Sequence, residues 1–339
     1  MNILIDIGHM AQLNFLKSAI HELKYEHKVY VSYLNRGGLP AVIHRELNDV
    51  FVISIGKHKG NLLSILIDAN LIRLIKFIFF IIRNHIDIGV NGGVPLGFAL
   101  RFLRKKHIQF DDDIERKVTI FLESISSDKL IIFPYTGKND FHRPNNIKFI
   151  PCLKEWAYLS PTYFRPDKSV LIKYDVKPKQ YVFLREVSTK TINYMNQEGG
   201  TISNYISVIA CIGLKVILSL EDKLTMNAYP KEWIILQEPV EDIHSLIYYS
   251  SLLVSSGDSM AREGAMLGVK SIYCGIRDMA ANRFIQNYGM FHRIHSIKDF
   301  QAIIEKDIVL EQESYRTNLD NIWIDVNRLI VDTINDYNI

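Results

Sequence analysis

The stretch most suited to chemistry is VSSGDSMAREGAMLGVKSIYC at residues 254–274. Its pattern predicts a strand, a turn of small residues, a helix and a second strand. The first N–H groups of a helix are unsatisfied and carry partial positive charge, so this turn can bind phosphate oxygens, and Gly257 lets a ligand approach the backbone. Asp258 and Ser259 are also good N-caps, so simple capping, worth about 1 kcal/mol, is the alternative interpretation.

Glu263 lies about one turn inside the same predicted helix, among small and apolar residues. A carboxylate at this position either faces solvent or reaches the ligand, where it can accept hydrogen bonds from both hydroxyls of a ribose. Periodicity alone leaves both interpretations open.

Two further groups of candidate residues lie in the first half of the chain. His9 follows the first predicted strand, and its ordinary pKa near 6.5 suits a general base, although a lone histidine often only caps a helix or packs. Asp111, Asp112 and Asp113 stand together at the end of another predicted strand. Adjacent carboxylates repel one another, and this cost is usual either at a site or on a solvated loop, so both interpretations stay open.

Composition excludes several classes of protein. The 339 residues include 40 basic and 37 acidic side chains, and a net charge of +3 does not predict binding to nucleic acid. The three cysteines show no paired spacing, so neither a disulfide framework nor a zinc site is predicted. The first apolar run has no basic leader before it, so we expect a cytoplasmic protein.

The elements that position these residues alternate between strands and helices in both halves. This alternation predicts an α/β protein with two doubly wound, Rossmann-like domains that face each other across a cleft. The length suits two domains of roughly 150 residues, and the proline-punctuated segment before residue 166 suits the connection between them. We therefore predict domains at residues 1–165 and 166–339, with the last helix free to cross back to the first domain.

The apolar run at residues 62–82 is long enough to suggest a membrane span, but Asp68, Arg73 and Lys76 interrupt its centre. We interpret it as a buried helix. The alternative is contact with an anionic membrane surface, since basic residues border several phenylalanines.

Five stretches, in this order, resemble a family of prokaryotic GT-B proteins of unassigned function: DIGHMAQLNFLKSAI (6–20), FDDDIERK (110–117), KEWAYLSPTYFRPD (154–167), YVFLRE (181–186) and residues 254–274. That family is related to UDP-N-acetylglucosamine 2-epimerases and to the lipid-linked N-acetylglucosaminyltransferase of peptidoglycan synthesis. The resemblance implies that the C-terminal domain binds a nucleotide sugar and that the N-terminal domain lies on the acceptor side.

The resemblance also implies roles for individual residues. Glu263 would hold the ribose, and Arg185, at a strand end, would face the diphosphate, which a guanidinium binds as a fork. His9 would be the general base, with Asp112 and Asp113 as the alternative catalytic residues. The residues implied to line the phosphate turn are Gly257, Asp258, Ser259 and Met260.

The activity that the resemblance implies is transfer of a sugar from a nucleotide diphosphate sugar, expected to be UDP-linked. The acceptor would be a hydroxyl of a glycan or lipid-linked molecule in polysaccharide or surface-glycan synthesis. No cofactor or metal is required, because a helix dipole and an arginine can neutralise the leaving diphosphate, although Mg²⁺ at residues 111–113 is an alternative.

Two other functions remain open. A UDP-N-acetylglucosamine 2-epimerase is the first, but the NGGVPLG turn lacks the aspartate of those enzymes, and Leu184 stands where they have a histidine before the arginine. The acidic cluster at residues 111–115 could substitute for these groups as acid and base. The second is a non-catalytic GT-B partner or regulatory subunit that docks on a membrane enzyme through the helix at residues 71–83. Residues 71–83 could also make peripheral contact with the inner membrane face.

Overall fold

The structure is a computed structural model that describes residues 1–57, 70–134, 145–189, 194, 197, 199–237, 240, 242–306 and 311–337. The chain forms two compact units, the first Met1–Tyr158 with Trp323–Ile339 and the second Leu159–Ile322. Each unit contains one parallel sheet with helical connections, which confirms the predicted pair of Rossmann-like folds. The division into domains 1–165 and 166–339 stays a prediction.

The strands of the described residues are β1 (Asn2–Ile7), β2 (Lys28–Asn35), β3 (Phe51–Lys57), β4 (Ile88–Asn91), β5 (Lys106–Asp111), β6 (Lys129–Ile132), β7 (Ile147–Phe149), β8 (Tyr181–Glu186), β9 (Lys215–Leu220), β10 (Ile234–Ile235), β11 (Leu252–Ser255), β12 (Ser271–Tyr273) and β13 (Phe291–Arg293).

The α-helices are α1 (Met10–Leu23), α2 (Leu39–Glu46), α3 (Arg73–Arg83), α4 (Gly93–Phe102), α5 (Lys117–Ser126), α6 (Trp156–Leu159), α7 (Ile206–Cys211), α8 (Ile243–Tyr249), α9 (Asp258–Met266), α10 (Ala280–Gln286), α11 (Ile297–Ile304), α12 (Gln312–Ile322) and α13 (Val326–Asn335). Shorter 3₁₀ helices occupy Lys168–Tyr174, Thr201–Tyr205 and Lys223–Ala228.

The first unit has a seven-stranded sheet in the order β3-β2-β1-β4-β5-β6-β7, with every neighbouring pair parallel. The carboxyl ends of β1 and β5 therefore lie at one edge of the sheet, with β4 between them, and they lead to His9 and to residues 111–113. This is the edge at which open parallel sheets bind ligands.

Helix α1 shows how the apolar pattern becomes packing in the first unit. Leu13, Leu16, Ile20 and Leu23 recur at helical spacing, and all four are buried, as predicted. Helix α13, near the C-terminus of the chain, packs against α1.

The turn NGGVPLG is shorter than its sequence indicates. Asn91, Gly92 and Gly93 all have positive φ, and α4 begins at Gly93. Pro95 falls in the first turn of the helix, where its missing N–H removes no hydrogen bond.

Helix α3 forms the last part of the apolar run at residues 62–82, and residues 62–69 lie outside the described part of the chain. Arg73 is buried because it donates two hydrogen bonds to Asp6, of 2.5 and 2.7 Å, and a third to the Ile55 carbonyl. The prediction of a buried helix holds for one side only, since the other side of α3 is exposed. Among the helices of the described residues, none is long and apolar enough to cross a membrane.

The second unit has a six-stranded parallel sheet in the order β10-β9-β8-β11-β12-β13. Helix α9 lies close upon it, because a Cβ at Gly264 would come within 2.2 Å of Leu253 Cδ2 and 2.6 Å of Ser271 Oγ. This close approach explains the glycine at position 264.

Candidate functional site

The turn between β11 and α9 is fixed by its own hydroxyl groups. Ser255 Oγ accepts a hydrogen bond from the Gly257 N–H at 3.1 Å and donates one to the Gly257 carbonyl at 2.6 Å. Ser256 Oγ donates to the buried Glu186 carboxylate at 2.8 Å and accepts from the Val187 N–H. The turn is therefore shaped before any ligand binds.

The first turn of α9 presents backbone N–H groups that have no intrahelical acceptor. Gly257 is the N-cap residue, and Ser259 and Met260 are half-buried, so this end of the helix is partly open. The glycine has a packing reason as well, since a Cβ on Gly257 would lie 2.5 Å from Val187 Cγ1. The geometry suits an anion at the helix N-terminus, and the phosphate role of residues 257–260 stays a prediction.

The Asp258 side chain points into the protein. It is fully buried, accepts from the Tyr194 hydroxyl at 2.5 Å and pairs with the equally buried Arg262 at 2.8 Å. Burial alone would raise the pKa of Asp258, but the charges of Arg262 and Arg277 and the Tyr194 hydrogen bond lower it below its ordinary value. The Asp258 side chain therefore cannot reach a phosphate at the helix N-terminus, and its backbone N–H is the group of this residue that could.

Arg277 is a candidate residue that the sequence analysis missed. Its guanidinium lies 3.6 Å from Asp258 and is partly exposed, on the loop that follows β12. That loop packs against the turn before α9, because a Cβ at Gly275 would lie 2.4 Å from the Ser256 carbonyl oxygen. The sequence did contain a signal for this residue, because Arg277 stands a few residues after the end of β12, the strand next to β11.

Arg185 and the turn before α9 lie at the ends of neighbouring strands. Arg185 pairs in register with Ser255, and its carbonyl accepts the Ser256 N–H at 2.9 Å. The guanidinium donates to Ser219 Oγ at 2.6 Å and forms an ion pair with Glu221. Arg185 thus adds a positive charge at this strand edge, but it is already paired with an acid.

Glu263 is buried on one side of α9 and does not point into bulk solvent. Its Oε2 lies 3.4 Å from Nε2 of His244, the second residue of α8. The ring of Phe164 stands edge-on to His244, with 6.2 Å between the ring centroids. His244 and Phe164 were both missed, because His244 comes close to Glu263 only through the packing of α8 beside α9, and Phe164 contacts His244 from another segment.

The acidic residues of the first unit form a compact, mostly buried cluster. Arg116 lies 3.1 Å from an oxygen of Asp111 and 2.9 Å from an oxygen of Asp113. Glu123, on α5, was missed by the sequence analysis. First its burial, and then the neighbouring Asp111 carboxylate, raise the pKa of Glu123 to about 9, so Glu123 is protonated at pH 7 and can donate a hydrogen bond to Asp111.

Asp112 pairs with Lys154, whose ammonium lies 2.6 Å from Asp112 Oδ1. His9 is the N-cap residue of α1, but its side chain makes no capping hydrogen bond, and the residue is exposed. Neighbouring atoms displace water from around the His9 ring, and this desolvation, followed by the charge of Lys154, lowers the pKa of His9 from its ordinary value of 6.5. The ring is therefore neutral at pH 7. The catalytic roles of His9, Asp112 and Asp113 stay predictions.

Within the part of the chain that the structure describes, no group of three or more histidine, cysteine or carboxylate side chains is arranged to hold a metal ion. Among the described residues, the partly exposed positive groups near the turn before α9 include the helix N-terminus, Arg185 and Arg277, whereas Arg262 is buried against Asp258.

The fold is similar to those of several solved structures. The UDP-GlcNAc 2-epimerase from Methanocaldococcus jannaschii, in complex with UDP-GlcNAc and UDP, has a TM-score of 0.71 and 13% identity, over 98% of this chain and 99% of that chain. The S. aureus MnaA-UDP co-structure has a TM-score of 0.69 and 12% identity, over 99% and 96%. The glycosyltransferase of kitacinnamycin has a TM-score of 0.65 and 12% identity, over 99% and 98%. These similarities confirm the predicted GT-B fold class.

Residues 142–338 match the family described as "Protein of unknown function (DUF354)". No curated protein matches the chain.

Proposed function

Because the chain belongs to the family described as proteins of unknown function (DUF354), its activity has to be inferred from its own residues, and we propose that it is a GT-B glycosyltransferase. The donor would be a nucleotide diphosphate sugar with UDP as the nucleotide. The acceptor would be a hydroxyl of a glycan or of a lipid-linked molecule, in polysaccharide or surface-glycan synthesis.

One observation carries this proposal: the partly open N-terminus of α9 has Arg277 beside it and the buried carboxylate of Glu263 one turn further along the helix. A diphosphate at the helix N-terminus would accept hydrogen bonds from the backbone N–H groups and from the two parallel N–H donors of the Arg277 guanidinium. A ribose diol would then reach the Glu263 carboxylate. Two structures of the same fold are solved with UDP, which supports this choice of ligand.

In the proposed reaction, the acceptor oxygen attacks the anomeric carbon of the donor sugar while the bond from that carbon to the diphosphate breaks. The hydroxyl proton passes to a base, for which the neutral ring of His9 has an unprotonated nitrogen, although its lowered pKa makes it a weak base. Negative charge that develops on the leaving diphosphate is stabilised by the α9 N-terminus and by Arg277 and Arg185.

The buried carboxylates of the first unit favour a second candidate, a UDP-N-acetylglucosamine 2-epimerase. Epimerisation at C2 requires an acid and a base, and the protonated Glu123 beside the Asp111 carboxylate supplies one of each. The solved UDP-GlcNAc 2-epimerase from Methanocaldococcus jannaschii, which has the same fold, adds support to this alternative. Incubation with UDP-N-acetylglucosamine alone separates the two candidates, because an epimerase needs no acceptor.

Titration calorimetry with UDP tests the proposal. The Glu263→Gln variant keeps the volume of the side chain but replaces one of the two carboxylate oxygens that would accept hydrogen bonds from the ribose hydroxyls. We therefore expect UDP to bind this variant about 10- to 100-fold more weakly than the parent. Glu305→Gln, which changes an exposed carboxylate of the same unit in the same way, is the control and should bind UDP as the parent does.

Equal UDP affinity in the parent and the Glu263→Gln variant would remove Glu263 from the site. A parent protein that binds no nucleotide would overturn the enzymatic proposal and favour a non-catalytic GT-B subunit.

A further inference from the structure

Large apolar side chains are concentrated on one face of the first unit. Helices α3, α4 and α5 connect β3 to β4, β4 to β5 and β5 to β6, so right-handed crossovers put all three on the same face of the sheet. The helices pack in that order, α3 against α4 and α4 against α5. We call their outer surface the α3–α5 face.

The described part of the chain has 20 exposed large hydrophobic residues, and nine of them belong to this face. They lie on α3 and the two residues before it, at the end of α4 and along α5. The nine are Leu71, Ile72, Ile75, Phe79, Ile82, Phe102, Val118, Phe121 and Ile125.

Their spacing makes continuous apolar stripes. Ile75, Phe79 and Ile82 fall on one side of α3, and Val118, Phe121 and Ile125 recur at three- and four-residue intervals on α5. Each helix buries a different apolar stripe against the sheet, with Phe77 and Ile81 as the buried examples on α3. A helix that covers a sheet in water normally has a polar outer side, so the α3–α5 face is built to contact something apolar.

The charges of the same three helices indicate the partner. Their exposed charged residues are Lys76, Arg83, Arg101 and Lys117, and all four are basic. The single acid, Glu123, is buried. A twofold contact with a second copy would bring four positive charges against four more, whereas an anionic lipid surface has the complementary charge.

We propose that the α3–α5 face binds the surface of an anionic membrane. The apolar stripes enter the boundary between headgroups and acyl chains, and the basic side chains contact anionic headgroups. This surface extends the contact predicted for residues 71–83 to α4 and α5. The proposal is independent of the proposed sugar transfer, because it concerns adsorption alone.

Co-sedimentation of the full chain with lipid vesicles tests the proposal without any nucleotide. One vesicle population contains phosphatidylcholine alone, and the other contains phosphatidylcholine and phosphatidylglycerol in equal parts. We expect binding to the second population, weakened about fivefold by each of the single substitutions Lys76→Ala and Lys117→Ala.

The double variant Phe79→Ser with Phe121→Ser should weaken binding by at least about tenfold, since two phenylalanines are lost from the membrane contact. The matched control is Ile172→Ser with Leu224→Ser, which removes two apolar side chains exposed on the second unit and should bind as the parent does. All four replaced side chains are mostly exposed, so thermal midpoints should stay near that of the parent.

Failure to sediment with the anionic vesicles would overturn the proposal, as would equal binding to both vesicle populations. It would also be overturned if light scattering showed a dimer that the double phenylalanine variant converts to a monomer, because the face would then bind a second copy.

Discussion

The buried ion pair at the start of α9 gives the most direct test of the structure. Asp258 has no exposed surface, Arg262 is 1% exposed, and their charged groups lie 2.8 Å apart. Asp258→Asn keeps the shape of the side chain but leaves the guanidinium of Arg262 buried without its closest countercharge. Removal of one partner from a buried pair typically costs about 3–5 kcal/mol of unfolding free energy.

The assay is urea unfolding at neutral pH, followed by thermal unfolding. For a unit of this size the expected cost corresponds to a fall in melting temperature of roughly 6–20 °C. Asp278→Asn is the matched control, because Asp278 is about half exposed and pairs with Arg283 at 2.9 Å on the surface. That exposed pair should contribute no more than about 1 kcal/mol.

The pH dependence follows from the same contacts. Because Arg262 and Arg277 hold the pKa of Asp258 below its ordinary value, its stabilising effect is present at neutral pH and is lost only as the pH falls through that lowered pKa. The difference between the parent and Asp258→Asn should therefore shrink in strong acid. Equal unfolding midpoints for Asp258→Asn and Asp278→Asn at pH 7 would refute the buried pair.

Three further predictions concern single side chains. The pKa of Glu123, raised to about 9, means that the folded protein loses stability as the pH rises from 4.5 toward 9, by up to about 1.4 kcal/mol per pH unit. Glu123→Gln should remove this loss in urea unfolding at pH 8, and a flat profile for the parent would contradict it. Arg277→Ala should weaken UDP binding about 10- to 100-fold in calorimetry and leave uridine binding unchanged, with the exposed Arg283→Ala as control; equal losses for both ligands would place Arg277 away from the diphosphate. His9→Ala should lower sugar turnover while UDP still binds, and undiminished turnover would exclude His9 as the base.

Much of the fold could be predicted from the sequence because its elements are local. The apolar spacing in α1 and the alternation of strands and helices depend on neighbours in the chain, and the structure confirms both. The interior pairing of Arg73 with Asp6 could not be predicted in this way, since the two residues are 67 positions apart. An arginine inside an apolar run appeared as an interruption, whereas the fold supplies its countercharge.

The candidate site divides in the same way. The strand, turn and helix at residues 254–266 were predicted from local pattern, and their phosphate-binding role is still a prediction. The i, i+4 spacing of Asp258 and Arg262 was a visible signal for the buried pair, and it was not used. His244, Arg277 and Glu123 could not be found by spacing, because each meets its partner only after separate elements pack together.

Helix α13 has a consequence for biosynthesis. Helix α13 belongs to the first unit. Trp323, just before it, contacts Trp156 edge to face, and Asn335 at its end forms a hydrogen bond with His27. A ribosome that adds about 5–20 residues per second takes roughly 8–33 s to translate the intervening second unit, Leu159–Ile322. During that interval the nascent first unit exposes the surface of α1 that α13 later covers, so chaperone engagement is expected in this window.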